Sequence, residues 1–400
     1  MLLPFGLLLA CMAVLPLHWP RWWEKHYAKV ALGLAAVTVG YYVFVLPPAA
    51  LLTVRHTADD YAGFITLIGS LYIVSGGIHL RAPVAGTPGW NTLFLALGGA
   101  ASNLLGTTGA SMLLIRPWLR ANRHRAAAYH VVFFIFIVSN VGGCLTPMGD
   151  PPLLVGYLEG VPFWWVARHC WPMWLVSMAF LLAVFYFIDR RQDALAARPP
   201  AGTERPWHFE GLWNLVFLTV IVASVVIPLP PLLRESIMIV AAAASYCLTA
   251  RRVHEANAFS FHPIIEVAVL FFAIFATMMP ALDQLQNVGG NLTPGRVYWS
   301  AGTLSAFLDS APAYLAFFSA VAGQGGHGMN ALPAALITAL SVGTVVFGAV
   351  TYIGNGPNLM VKSMADHEKI ESPSFFAYLF KWAAPVMLPL LILLWLVFFR

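Results

Sequence analysis

Apolar residues run through this chain in blocks near twenty residues long, separated by short intervals that hold most of the charges. Blocks of that length are what a helix needs to cross the hydrocarbon core of a bilayer. The pattern predicts spans near 2–19, 28–46, 60–80, 127–158 and 162–188, then near 211–229, 231–250, 263–282, 332–365 and 373–399. Two further blocks, 91–119 and 297–322, are apolar but interrupted midway, by Ser102 to Gly109 and by Ser305 to Pro312. Neither arm, at about 12 residues, is long enough to cross. A helical hairpin that enters the membrane and returns to the same side is the expected form of both.

The spans at 127–158 and 332–365 cannot be continuous helices. Within Ser139 to Pro152 fall glycines, Pro147, Pro151 and Pro152, and one acid, Asp150. Proline removes helical amide hydrogens, and opened backbone at membrane depth is tolerated only where protein or a water-filled cavity surrounds it. The design recurs at Thr351 to Asn358: a shift of 205 positions puts Thr146 on Thr351, Gly149 on Gly354, Asp150 on Asn355 and Pro152 on Pro357. Leu105 to Ser111 lies over Leu308 to Tyr314 at a shift of 203, and Pro162 with Trp171 over Pro373 with Trp382 at 211. The expected domains are a first repeat, 1–188, a charged cytoplasmic linker, 189–210, and a second repeat, 211–400. Five crossings per half is an odd number, so the second repeat is expected upside down relative to the first.

Composition agrees with the pattern. The 400 residues are 60% hydrophobic and only 10% charged, against about 25% charged in soluble domains. Mean hydropathy is +0.76. An all-α polytopic membrane protein follows, and a soluble enzyme is excluded. With re-entrant hairpins, sixteen Arg and Lys collect on one side of the membrane and five on the other. That bias makes the richer side cytoplasmic and puts both termini outside, in an inner (cytoplasmic) membrane. The net charge of +5 therefore reflects topology and implies no nucleic-acid partner. Cys11, Cys144, Cys170 and Cys247 are scattered through apolar segments without disulfide or metal spacing and read as packing residues. His79, His130 and His169 lie near span ends and read as interfacial, and Arg116 to Arg125 as an anchored cytoplasmic surface.

Two carboxylates remain deep within apolar elements: Asp150, the one charge between Arg125 and Glu159, and Asp309, the one charge between Arg296 and Lys362. An acid at the bilayer centre costs about 2.5–3.5 kcal/mol on insertion scales, so each is a functional candidate. The competing reading is an aspartate that caps a half-helix inside the break. Around them the breaks and hairpin tips supply hydroxyls and amides: Asn103, Thr107, Thr108, Ser139, Asn140, Thr146, Ser310, Asn355 and Asn358. Oxygen-rich sets of this kind suit hard cations such as Na⁺. The expected ligands are transported Na⁺, held transiently at Asp150 and Asp309, and protons, with no resident cofactor.

The layout of three spans, re-entrant hairpin, broken helix and closing span, repeated upside down, resembles the ion transporter superfamily. Within it, Ser139 to Pro151 and Leu308 to Pro312 are most similar to the NhaD-type sodium/proton antiporters, which are related to the citrate and dicarboxylate transporters. The resemblance implies a scaffold and a moving domain carrying the hairpins in an elevator-like cycle, in a molecule that is often a homodimer. Dicarboxylate members carry Ser-Asn-Thr at both hairpin tips, where this chain has Gly106-Thr107-Thr108 and Asp309-Ser310-Ala311. The leading expectation is thus a secondary Na⁺(Li⁺)/H⁺ antiporter, in which metal ion and proton compete for the aspartates. The alternative is a Na⁺- or H⁺-coupled citrate, dicarboxylate or oxyanion carrier, with half-helix N-termini at the tips holding the anion. Against it stands the absence of Arg or Lys from the expected core. An intramembrane aspartyl protease also needs two buried aspartates, but Pro147 replaces the first glycine of its Gly-x-Gly-Asp motif and Leu308 stands where that family has Tyr.

Overall fold

The computed structural model describes the chain except residues 1, 82–85, 124, 194–207, 228, 258, 286–291, 326–332 and 371. Most of the expected linker 189–210, and position 332 at the start of the second broken span, lie outside the described residues. The elements are α1 (Leu3–His18), α2 (Pro20–Phe44), α3 (Ala50–Gly76), β1 (His79–Arg81), α4 (Pro88–Ala121), α5 (Ala128–Ile137), α6 (Pro151–Leu158) and α7 (Phe163–Asp193). After them come β2 (His208–Glu210), α8 (Asn214–Val226), α9 (Pro231–Leu248), α10 (Arg251–Ala256), α11 (His262–Leu285), α12 (Pro294–Phe307), α13 (Ser310–Gly325), α14 (Ala334–Gly348) and α15 (Gly356–His367). The last helix, α16 (Phe375–Phe399), contains two wider turns, at Tyr378–Ala383 and Trp395–Phe399. Strands β1 and β2 pair antiparallel, with His79 opposite Glu210. This is an all-α polytopic membrane protein.

Six helices among the described residues are long and apolar enough to cross a membrane: α2, α4, α7, α9, α11 and α16. Length misleads for α4, because its two ends meet. The Gly86 amide donates to the Ala121 carbonyl at 2.9 Å, the Asn91 side-chain amide donates to Asn122 Oδ1 at 2.7 Å, and the Phe94 and Trp118 rings stack with centroids 5.5 Å apart. The reversal falls at Gly106, whose φ of 73° and ψ of 153° belong to a region that a side chain all but forbids. The chain thus doubles back where a polar tip was expected.

Two boundaries differ from expectation. Helix α3 starts ten residues before the apolar block at 60, and α2 starts at Pro20, straight after Trp19. Hydropathy marks where a helix leaves hydrocarbon, whereas backbone hydrogen bonding continues through residues such as Arg21, Glu24, Asp59 and Asp60 that have ordinary helix propensity.

The molecule is built around α5 and α14. Both are largely apolar, as a lipid-facing helix would also be, and it is their burial that shows protein on every side. Val131 through Val138 have no exposed surface, and Leu336 through Gly348 are buried throughout. The periphery is also apolar: Leu3, Phe44, Leu52, Trp213, Leu232, Leu248 and Phe376 all face outward. That inside-out distribution suits lipid.

One polar cluster was invisible in the sequence. Asp189, expected to open a solvated linker, is completely buried, and so is His130, expected at an interface. Arg125, expected on a basic surface, is only 4% exposed at its side chain and pairs with Asp189 at 2.6 Å. The cluster lies where the base of the α4 hairpin, the start of α5 and the end of α7 converge. Elsewhere at this end, the Arg116 guanidinium donates to the Asn257 carbonyl ahead of α11, and Asn257 receives or gives bonds to His79, Gly76 and Ile78. At the opposite end, the Tyr157 hydroxyl at the close of α6 donates to the Val225 carbonyl of α8 at 2.9 Å.

Candidate functional site

Both helix breaks are held by the same kinds of bond. In the first, Ser102 Oγ donates to the Val138 carbonyl at 2.7 Å, Thr146 Oγ1 donates to the Asn103 carbonyl at 2.5 Å, and the Gly149 amide donates to Thr146 Oγ1 at 3.1 Å. In the second, Ser305 Oγ donates to the Thr344 carbonyl at 2.6 Å, Thr351 Oγ1 to the Ala306 carbonyl at 2.5 Å, and the Gly354 amide to Thr351 Oγ1 at 3.2 Å. Each break also folds so tightly that two glycines meet across it. A Cβ on Gly149 would overlap the Gly143 carbonyl oxygen, and one on Gly354 would lie 2.7 Å from the Gly348 carbonyl oxygen. Backbone groups freed by the prolines are therefore satisfied by hydroxyls from the neighbouring hairpin and by turns.

The two breaks cross at four side chains. Asn355 Nδ2 reaches Asp150 Oδ1 at 2.8 Å, and also Asn140 Oδ1 and the Ser139 carbonyl, each at 3.2 Å. Asn140 Nδ2 donates to Asn358 Oδ1 at 2.7 Å, while Asn358 Nδ2 donates to the carbonyls of Gly348 and Thr351, each at 2.9 Å. All four residues are at most 1% exposed. The first hairpin closes the site from another side: the Thr107 amide donates to the Gly149 carbonyl at 2.8 Å and its hydroxyl to Asp150 Oδ1 at 2.9 Å.

Asp150 sits at the N-cap of α6 but makes no capping bond to that helix. Its Oδ1 takes both donors, and Oδ2 is buried with no hydrogen-bond partner among the described residues. The Asp309 carboxylate does cap its own helix, accepting from the Ala311 amide at 3.1 Å, and is only half-buried. The capping interpretation therefore fits Asp309 and fails for Asp150.

Not every candidate meets at this crossing. Asn103 is occupied in holding the first break, donating to the Gly142 carbonyl at 2.6 Å and accepting from the Leu145 amide at 2.9 Å. Ser139 Oγ pairs with Ser111 Oγ at 2.7 Å. Thr146 likewise spends its hydroxyl on the Asn103 carbonyl, whereas Asn358 meets Asn140 at the crossing through its Oδ1 and spends only its amide nitrogen on backbone carbonyls. Thr108 lines a small cavity beside Asp150, and Ser310 Oγ is buried without a hydrogen-bond partner among the described residues. Sequence reasoning missed Trp174, whose Nε1 donates to the Gly142 carbonyl at 3.0 Å, and Tyr378, whose hydroxyl donates to the Ala349 carbonyl at 2.7 Å. Neither carries a local signal, since each looks like one more aromatic in a span.

The cavity is formed by the tip residues Gly106, Thr107 and Thr108, by Gly149 and Asp150, and by apolar side chains of α3. At about 20 Å³ it has room for a water molecule or a bare cation and none for an organic acid. No Arg or Lys lines it. Among the described residues no group of three His, Cys, Asp or Glu stands together as a tight metal site. On the other side of the crossing, Gly356 at the first position of α15 is exposed, with nothing within 4 Å of where a Cβ would stand.

A protein-family model described as "Putative citrate transport" matches residues 1–399. Comparison with curated proteins gives no match. Because the family match runs almost the whole length of the chain, this multi-pass membrane protein belongs to that citrate-transport family, a family of secondary transporters.

Proposed function

We propose that the protein carries a citrate-type polycarboxylate across the membrane together with a cation or proton bound at Asp150. The observation that carries this reading is a buried carboxylate, Asp150, whose Oδ2 has no hydrogen-bond partner among the described residues and which helps to line a cavity of cation size. A polycarboxylate entering a region that contains two aspartates and no basic side chain needs its charge compensated by what travels with it. Its carboxylates are assigned to the open side of the crossing, where α13 and α15 begin. The turn that leads into α15 lies against the last turn of α12, just ahead of α13, since Thr351 bonds to the Ala306 carbonyl and Gly354 abuts Ser305, and helix N-termini favour anions. Proton and cation compete for Asp150, and either state completes the site for a different step of the cycle. Exchange of Na⁺ for protons without an organic anion, the leading expectation from the sequence, loses ground to symport because the family match points to citrate.

The matching bonds of the two breaks support a pair of inverted repeats, 1–188 and 211–400, with re-entrant hairpins and an elevator-like exchange of access. A homodimer in the inner membrane with both termini outside belongs to the same reading.

The test is uptake of labelled citrate into proteoliposomes under an imposed Na⁺ or pH gradient. Wild-type protein accumulates citrate, and Asp150→Asn, folded by thermal melting, does not. Citrate-independent proton release on adding Na⁺, with no citrate uptake, would restore the antiporter.

A further inference from the structure

The buried cluster at Asp189 is larger than an ion pair. Asp189 Oδ1 accepts from Arg125 Nη1 at 2.6 Å and from the Tyr129 hydroxyl at 2.7 Å, and Oδ2 accepts from Arg125 Nη2 and from Asn91 Nδ2, both at 2.9 Å. His130 Nε2 approaches Oδ1 at 3.5 Å. Arg125 also donates to the Gly86 carbonyl, and Asn91 is joined to Asn122. One carboxylate thereby ties together both arms of the α4 hairpin at their base, the loop that follows them, the first turn of α5 and the end of α7. Burying such a pair costs several kcal/mol per ion before the bonds repay it, so stability alone is a weak reason for its presence.

We propose that Asp189 is a positioning residue for the transport site, acting through the α4 hairpin; this rests on the reading of Asp150 as the coupling-ion site. The first arm runs from Asn91 at the cluster to Thr107 at the tip, sixteen residues or ~24 Å of helix. On a lever of that length, a tilt of ~2–3° at the base moves Thr107 by ~1 Å. Thr107 delivers the hydroxyl to Asp150 and the amide to Gly149, and displacements of about 1 Å at a reacting or binding centre cost up to roughly a hundredfold. The cluster holds the base on two opposed sides, with Asn91 bonded directly to Asp189 and Asn122 bonded to Asn91, so that the hairpin cannot pivot against α5 and the break that α5 leads into. A solvated pair would give way more readily under the same load than this one, whose carboxylate is buried with both oxygens doubly bonded.

The experiment compares apparent affinity with turnover in citrate-uptake assays at varied cation concentration. Asp189→Asn combined with Arg125→Gln removes both charges and leaves amides that still hydrogen-bond. Tyr129→Phe removes one bond without changing volume. In whichever of these keeps a cooperative thermal transition, the half-saturating cation concentration rises, about tenfold in the double variant and about twofold in Tyr129→Phe, while turnover per folded molecule stays within about threefold of wild type. A merely structural role would lower the yield of folded protein and leave the affinity alone; wild-type affinity in the folded variants overturns the proposal. Asp150→Asn run alongside separates the two readings, because normal uptake there defeats the assignment of Asp150 itself, whatever Asp189 does.

Discussion

Thr107→Val removes one hydroxyl at the crossing and little else. Valine matches threonine in shape, and the Thr107 backbone amide keeps its bond to the Gly149 carbonyl. What goes is the 2.9 Å donor to Asp150 Oδ1, leaving Asn355 as the side-chain donor to that oxygen. A hydrogen bond to a charged group is worth about 1.5–3 kcal/mol, and here all of it favours the ionised carboxylate that a cation requires. A proton then gains on the cation by the same amount, so apparent cation affinity at fixed pH falls roughly ten- to a hundredfold. The assay is citrate uptake against cation concentration at several pH values. Because the loss arises from proton competition, raising the pH by one to two units, ~1.4 kcal/mol each, restores the affinity of the variant. Thr108→Val, which lines the same cavity without a bond to Asp150, serves as the control and stays within about threefold of wild type. Equal losses in both variants, or a Thr107→Val deficit that no pH repairs, would refute the assignment of Asp150 as the coupling group.

Two further outcomes follow from local geometry. Gly149→Ala forces a methyl group onto the Gly143 carbonyl, where rigid backbone stands on both sides, and lowers stability by about 3 kcal/mol or more in thermal or denaturant unfolding in detergent. Gly356→Ala meets open space at the first turn of α15 and is neutral or stabilising by up to about 1 kcal/mol in the same measurement. At the far end of α15, burial works against the Asp366 carboxylate, but hydrogen bonds from Lys362 and Ser372 and the Lys362 charge hold it below its ordinary value. A depressed acid stabilises at neutral pH and stops doing so as pH falls through its folded value. Hydrogen-exchange protection in the last turn of α15 is therefore lost below about pH 4 and is insensitive to pH above that.

Much of this architecture was legible because lipid imposes length. Apolar blocks near twenty residues located the crossings, and proline with glycine inside such a block forced the breaks at Asp150 and Asn355. The shift of 205 aligned Asp150 with Asn355, but the sequence reading paired Asp150 with Asp309, and the bond from Asn355 to Asp150 is seen only in the fold. Identity of side chain said less about who does what. Asn103 and Thr146 offer the same oxygens as Thr107, yet they are consumed in satisfying backbone that the breaks leave open, and only the folded geometry separates the two uses. Asp309 is a cap because the amide of Ala311 happens to face it. The Asp189 cluster was illegible for a different reason. Its members are spread over about a hundred positions, and Arg125 and Asp189 sit beside other charges that do face solvent, so nothing local distinguishes a buried charge from its exposed neighbours.

The bonds made by Tyr157 and Arg116 join α6 and α4 to α8 and to the loop before α11, one bond at each end of the molecule, and both end on main-chain carbonyls. A carbonyl is supplied by every amino acid, so substitutions at residues 225 and 257 leave the acceptors in place, and each fastening depends on one partner alone. The two are unequal. A neutral phenol bonded to a carbonyl contributes about 0.5–1.5 kcal/mol, a guanidinium about 1.5–3. Of the two fastenings, the one made by Tyr157 is therefore the weaker.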